Sequence, residues 1–276
     1  MSKKIYETIT NKIIEKLEEG TIPWKKPFQD GDGTPVNWVT QKPYRGINTF
    51  LLDGGEYATY KQIKDNGGAV LKGEKGNPIF FWKIMDIEDE DTKEDKKIPL
   101  LKTYTVFKIG VQTKGIEPKR KMVEHEHQSI EQAEEIYKNY MNGPDFTFKN
   151  DDAYYKPALD VVNVPPMKSF ADVNAYYSTL FHEMVHSTGH KTRLDRAGVV
   201  RFNGFGTEQY SKEELVAELG ASMLCGVAQI DNTTLDNSAS YIKSWLKALK
   251  DDQTLIISAS QLAQKASDHI LNTKFE

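Results

Sequence analysis

Cysteine is nearly absent from this 276-residue chain: the one Cys225 has no partner for an internal disulfide. That excludes a disulfide-stapled secreted scaffold, and any metal site must be built without a cysteine set. Cys225 sits in an apolar helical run and reads as buried packing. Long apolar runs are missing too, so nothing approaches the roughly 20 residues of a membrane span. The opening Met1-Ser2-Lys3-Lys4-Ile5 lacks the apolar stretch of a signal peptide. With 28% charged residues and a mean hydropathy of −0.58, these features predict a cytoplasmic protein with no membrane partner. No internal repeat is visible. Histidine is scarce as well, with six in the chain.

Scarcity gives weight to where those histidines fall. His182-Glu183-Met184-Val185-His186 is an HExxH motif, expected by chance about 0.01 times in a chain of this composition. Val173, Tyr176, Tyr177, Leu180, Phe181, Met184 and Val185 recur at spacings of three and four, which predicts one core-facing helix. Asp172 suits its N-cap, and Gly189 suits a left-handed stop. On a helix, residues four apart share a face, so both imidazoles reach one metal ion. Glu183 then stands beside them as the base that takes a proton from a metal-bound water. The pattern points to a zinc-dependent hydrolase, most often a peptidase, with one zinc per chain.

Catalytic zinc usually takes three protein ligands. The elongated HExxHxxGxxH pattern fails, because its last position is Thr192 and His190 comes two residues early. Ser211 to Ala221 instead forms an acidic helix, with small residues Ala217, Gly220 and Ala221 allowing close packing. Glu214 is read as the third ligand and Glu218 as the acceptor that orients a ligand histidine. Two rivals stay open: Glu218 as ligand, or Glu214 merely closing a capping box with Ser211. His190, Tyr177 and Tyr210 are the candidates for stabilising an oxyanion.

The net charge of −4 conceals a split. Residues 1–127 hold 22 Lys+Arg against 20 Asp+Glu, and seven of those acids crowd into Asp86–Asp95. That block reads as a solvated loop, since like charges at this density resist packing. What remains is basic, and Trp24, Trp38, Tyr44, Tyr57, Tyr60, Phe80, Phe81, Trp82 and Tyr104 are interleaved with it. Cations that track phosphates beside aromatic faces that stack on bases hold single-stranded nucleic acid. A small β-rich core with solvating lysines gives the same composition.

Length suggests two domains, divided at 1–127 and 128–276. Residues 2–19 read as an amphipathic helix with Ile5, Ile9, Ile13, Ile14 and Leu17 on one stripe. Residues 21–50 read as turns, 60–66 as a short helix, and 78–87 and 102–111 as strands flanking the acidic loop. Residues 114–128 read as a linker. A helix at 129–141, a strand at 158–164, the two site helices and helices near 238–250 and 254–271 follow. The strand at 158–164 is placed to pair with an extended substrate.

The run Ile9 to Pro27, with Gly20-Thr21-Ile22-Pro23-Trp24 at its centre, resembles ArdC-type antirestriction proteins. So do Tyr44-Arg45-Gly46-Ile47-Asn48, Gly67 to Gly76, and Val106-Phe107. The segments Ala153-Tyr154-Tyr155, Phe181 to Leu194 and Glu213 to Leu219 resemble that family's metallopeptidase half. The resemblance implies an α+β protein: a small N-terminal single-stranded DNA-binding domain followed by a zincin-like, mostly helical metallopeptidase domain. It implies plasmid or phage carriage and a role in shielding incoming DNA from restriction, with a host protein as a possible peptidase substrate. On this reading Lys25, Lys26, Arg45, Lys72 and Lys75 neutralise phosphates, Trp24, Tyr44 and Trp82 stack on bases, and Asn48 joins them. The chain departs from the family at Tyr57–Tyr60, Lys108 and Ser187. The alternative is a DNA-binding shield with an idle zinc domain, against which the intact Glu183 argues.

Overall fold

The computed structural model describes residues 2–25, 33–88, 95–120, 128–149, 152–170, 172–200, 208–232 and 239–273. Helix α1 (Ser2–Glu18) buries Ile9, Ile13, Ile14 and Leu17 as their spacing requires. Each such side chain contributes about 1.5–3 kcal/mol on leaving water. After it come β1 (Val36–Asn37), the short α2 (Asn48–Leu51), β2 (Glu56–Thr59) and α3 (Tyr60–Asp65). Thr59 and Gln62 form a reciprocal capping box that starts α3. A two-residue β3 (Ala69–Val70) pairs with β6 (Thr113–Lys114).

Between these lies the dominant feature of the first half, a long antiparallel ribbon of β4 (Asn77–Glu88) and β5 (Asp95–Lys108). The sheet order is β1-β2-β5-β4. Pairing runs from Asn77↔Val106 out to Glu88↔Asp95, so the strands extend into the acidic block expected to be a loop. In this register Asp86 stands opposite Lys97, while Glu88 stands opposite Asp95. Residues 89–94 fall outside the described residues. The ribbon separates its faces by alternation: Phe80 and Leu101 enter the main core, while Ile79 and Val106 join Tyr44, Leu52 and Tyr57 in a small second cluster.

The second half opens with α4 (Gln128–Lys138) and a three-stranded sheet of β7 (Asp145–Thr147), β8 (Tyr154–Lys156) and β9 (Val161–Asn163), in the order β7-β9-β8. The strand read from sequence at 158–164 is therefore central and already paired on both sides, and β7 and β8 are the edges. Then follow α5 (Val173–Thr188), the short α6 (Ala197–Val200), α7 (Glu208–Ala228), α8 (Ala239–Asp251) and α9 (Leu255–Ile270). Helix α7 is the spine, packed between α5 and α9. Cys225 is fully buried on it.

The core crosses the division at residue 127. Helix α1 packs on α8, and Trp24 meets Trp245 edge-on at 5.2 Å. Ser222 on α7 donates to the Trp24 carbonyl at 2.6 Å. No helix among the described residues is long and apolar enough to cross a membrane.

Candidate metal centre

Helix α5 begins where the sequence places it. The Asp172 carboxylate accepts the Ala175 N–H at 2.8 Å, satisfying one of the open donors of the first turn. Tyr176, Tyr177, Leu180, Phe181, Met184 and Val185 are buried in the core. That burial fixes the rotation of the helix and turns His182, Glu183 and His186 toward a cleft of about 1010 Å³. The two imidazole Nε2 atoms lie 3.1 Å apart.

Helix α7 brings carboxylates to them. Both oxygens of Glu214 face the imidazoles: Oε2 is 3.5 Å from His182 Nε2, and Oε1 is 3.4 Å from His186 Nε2. One turn along, Glu218 Oε1 is 2.9 Å from His182 Nδ1, and neither atom has another hydrogen-bond partner. The helix starts at Glu208, so Ser211 lies inside it and the capping-box role for Glu214 has no helix end to close. Close approach of the two helices depends on Gly220, where a Cβ would come within 2.7 Å of the Val185 side chain.

Sequence reasoning missed Glu213. It is buried, with Oε1 3.5 Å from His186 Nδ1 and both oxygens held by Arg196, whose Nε is 3.1 Å from Oε2. Arg196 is anchored in turn on the Val185 carbonyl at 2.8 Å. Each histidine thus turns Nδ1 to a carboxylate, which leaves both Nε2 lone pairs aimed at each other and at Glu214. Such an array repels itself unless protons or a cation occupy it. Burial alone would lower both imidazole pKa values, but Glu214 and its neighbours raise them, well above normal for His182. Glu214 is held far below the usual carboxylate range: burial opposes this, and the two imidazoles overcome it. Protons and a metal ion compete for the same place.

The donor set fits a metal. His182, His186 and Glu214 each offer a ligand atom, all within 4.8 Å of one another. The 3.1 Å between the two Nε2 atoms approaches the roughly 3.3 Å edge of a tetrahedron around an ion at about 2.0–2.1 Å, and each Glu214 oxygen faces one ring, Oε1 at 3.4 Å and Oε2 at 3.5 Å. Glu213→Gln and Glu218→Gln each leave the ligands in place but weaken the hold on one ring. Titration with a competing chelator is expected to show about 10–100-fold weaker metal binding for each. Unchanged affinity in both would remove the orienting role.

Several expectations change. Gly189 has a φ of −75°, so it is no left-handed stop; glycine is needed because a Cβ there would stand 2.4 Å from Val199. Tyr177 is buried and donates to Glu134 at 2.7 Å, which removes it from the oxyanion candidates. His190 and Tyr210 line the cleft. So do Tyr154, Tyr155 and Lys156 of the edge strand β8, and the Tyr155 N–H donates to Glu183. Arg193, its side chain nearly fully buried, ties this wall down by bonding Asp160 through Nη1 at 2.9 Å and Tyr155 Oη at 3.3 Å.

The DNA candidates scatter. Trp24 is 1% exposed and Tyr44 7%, so neither offers a face to a base. Asn48 is buried and spends its amide on the Phe80 backbone, accepting at 2.8 Å and donating at 2.7 Å. Arg45 is paired with Asp268 on α9. Lys25, Lys72 and Lys75 are exposed, and Lys26 lies outside the described residues. Trp82 is 41% exposed and leans on Tyr6 of α1.

Comparison with known proteins covers both halves. Residues 3–107 match the N-terminal domain of anti-restriction factor ArdC, and residues 131–262 match a zincin-like metallopeptidase. Protein y4eC of Sinorhizobium fredii (strain NBRC 101917 / NGR234) is 35% identical over 96% of this chain and 90% of its own length. DNA primase TraC of Escherichia coli is 35% identical over 98% of this chain, which spans 20% of that protein's length. The metal-free crystal structure of antirestriction protein ArdC from plasmid R388 aligns with a TM-score of 0.78 at 36% identity, covering 98% of this chain and 99% of that one. The Mn(II)-bound structure of the same protein aligns at 0.77. An N-terminal ArdC domain, a zincin-like second half and end-to-end likeness to a solved ArdC place this chain in the ArdC family of antirestriction proteins.

Proposed function

We propose that this protein binds single-stranded DNA without sequence preference and carries a zinc-dependent peptidase site, acting in the cytoplasm on incoming DNA and on a host protein. One observation supports the second part above others: Glu183 stands beside a converging His182–His186–Glu214 set, in a cleft walled by β8, an edge strand among the described residues. When bound there, a divalent ion polarises a carbonyl and makes water acidic near neutral pH. His182 and His186 hold it through Nε2 and Glu214 through carboxylate oxygen. Two imidazoles and one carboxylate suit zinc, while the R388 relative carries Mn(II) in one of its structures.

Burial pushes the Glu183 carboxyl up from its ordinary range, against the pull of the two imidazoles, which brings the base nearer to neutral pH. The Tyr155 N–H steadies it. Glu183 accepts a proton from water and returns it to the departing amine. Strand β8 offers its free edge to an extended peptide, which lies along the cleft by strand addition. Hydrolysis of an unstructured protein such as casein is expected to stop on chelation and return with added zinc. Cleavage indifferent to chelation would contradict the reading.

Exposed Lys25, Lys72 and Lys75 support the DNA half. Each phosphate neutralised on a single strand lowers the slope of log affinity against log salt by about 0.7. Replacing all three lysines with Ala is expected to flatten that slope by about 2 and to weaken binding to every oligonucleotide alike. A slope that stays put would take these lysines off the DNA path.

A further inference from the structure

The ribbon of β4 and β5 sends Phe80 and Leu101 into the main core; its other face carries Ile79 and Val106, covered by the small Tyr44 cluster, and beside them Phe81 and Tyr104, which are exposed. Phe81 pairs with Lys102 and Ile79 with Tyr104, so Phe81 and Tyr104 are diagonal neighbours on the outer face. Both are large, aromatic and uncovered, at 44% and 46% exposure. Their rings meet edge to face at 6.0 Å. Tyr44 touches Phe81 from below at 6.4 Å and is itself braced by Tyr57 at 6.4 Å. The small cluster of Tyr44, Leu52, Tyr57, Ile79 and Val106 therefore acts as a rigid base that ends in two exposed rings.

Charge decides the occupant. From Asn77 to Phe81 and from Lys102 to Lys108, the outer-face positions hold two lysines and no acid. Lys102 stands directly across from Phe81 and is partly exposed. A polyanion with exposed ring faces suits that surface better than an acid-free apolar peptide does. Unstacked bases resting on sheet aromatics, with cations beside the phosphates, is a recurrent way to hold a single strand.

We propose that unpaired bases of single-stranded DNA stack on Phe81 and Tyr104, with Lys102 on the adjoining phosphate. This rests on the DNA-binding reading above and gives it a location. It moves stacking away from Trp24 and Tyr44, which are buried, and from Trp82, which belongs to the opposite face of the ribbon.

The test uses the full chain and a fluorescein-labelled oligo-dT, read by anisotropy. Phe81→Leu with Tyr104→Leu keeps the apolar area but removes both ring faces. Affinity is expected to fall at least about 30-fold, the product of two stacking losses at the low end. The salt slope should stay as in the parent, because the cations remain. Trp82→Leu should change affinity less than about threefold. Unaltered circular dichroism and metal content would show that the variants fold. Photo-crosslinking of the parent protein to a 5-bromouracil oligonucleotide should label the β4 and β5 peptides. Parent binding with an unchanged double variant, and crosslinks elsewhere, would overturn this location and leave DNA binding intact. Failure of the parent protein to bind any single strand would instead end the DNA-binding reading itself.

Discussion

Glu183→Gln is expected to abolish hydrolysis while leaving the metal in place. The amide keeps the size and much of the polarity of the side chain but cannot accept a proton. General-base assistance is worth about 10²–10⁴ in rate, so turnover should fall by at least that lower bound. Glu183 is not among the converging ligand set of His182, His186 and Glu214, so metal content should not change. Nor does the substitution touch the β4–β5 ribbon, so DNA affinity should hold. The informative comparison is rate and metal measured on one preparation. A variant that loses both would make Glu183 a ligand and not a base; one that loses neither would leave the cleft without its base.

Replacing His182 and His186 together with Ala should have the larger effect on composition. One ion per chain is expected to fall below about a tenth by elemental analysis, since catalytic sites rest on about three protein ligands and a lone carboxylate holds zinc poorly. Three buried or half-buried glutamates, Glu213, Glu214 and Glu218, would then face a space with no imidazole to share their charge. Arg196 covers Glu213 alone. Removing the imidazoles is thus expected to destabilise the α5–α7 pair as well, through uncompensated buried charge. Thermal melts with and without metal separate the effects: added zinc should raise the melting temperature of the parent chain and not of the variant. Full metal content in the double variant would place the ion elsewhere.

What the sequence disclosed follows from which interactions are local. The HExxH helix was legible because its apolar stripe, its Asp172 cap and its two histidines all lie between Asp172 and His186. Glu214 was legible as a residue on a helix, yet its rivalry with a capping role ended only when α7 proved to begin at Glu208. Glu213 was not legible. Its partner Arg196 lies 17 positions earlier, outside α7, and nothing in the spacing shows that contact. Gly189 looked like a left-handed stop by position, but its constraint comes from Val199, a tertiary neighbour. The order β7-β9-β8, which decides which strand edge is open, is likewise a property of the sheet.

The aromatic candidates show the same boundary. Composition cannot separate a tryptophan that stacks on a base from one that fills a core. Trp24 pairs with Trp245, 221 positions away, and that contact settles its burial. Alternation along β4 does separate Phe80 from Phe81, but which face meets the core depends on where α1 and the C-terminal helices lie. Asn48 sits in a segment that resembles the family and proves to be a clamp on the Phe80 backbone.

The central claim is that His182, His186 and Glu214 hold one metal ion beside Glu183. Anomalous diffraction from crystals of the protein, collected on both sides of the zinc absorption edge, tests it most directly. The account predicts one peak per chain, about 2.0–2.2 Å from His182 Nε2, His186 Nε2 and a Glu214 oxygen, with Glu218 on His182 Nδ1. A peak ligated by Glu218 with Glu214 turned away, or no peak between the two imidazoles in zinc-loaded crystals, would contradict it.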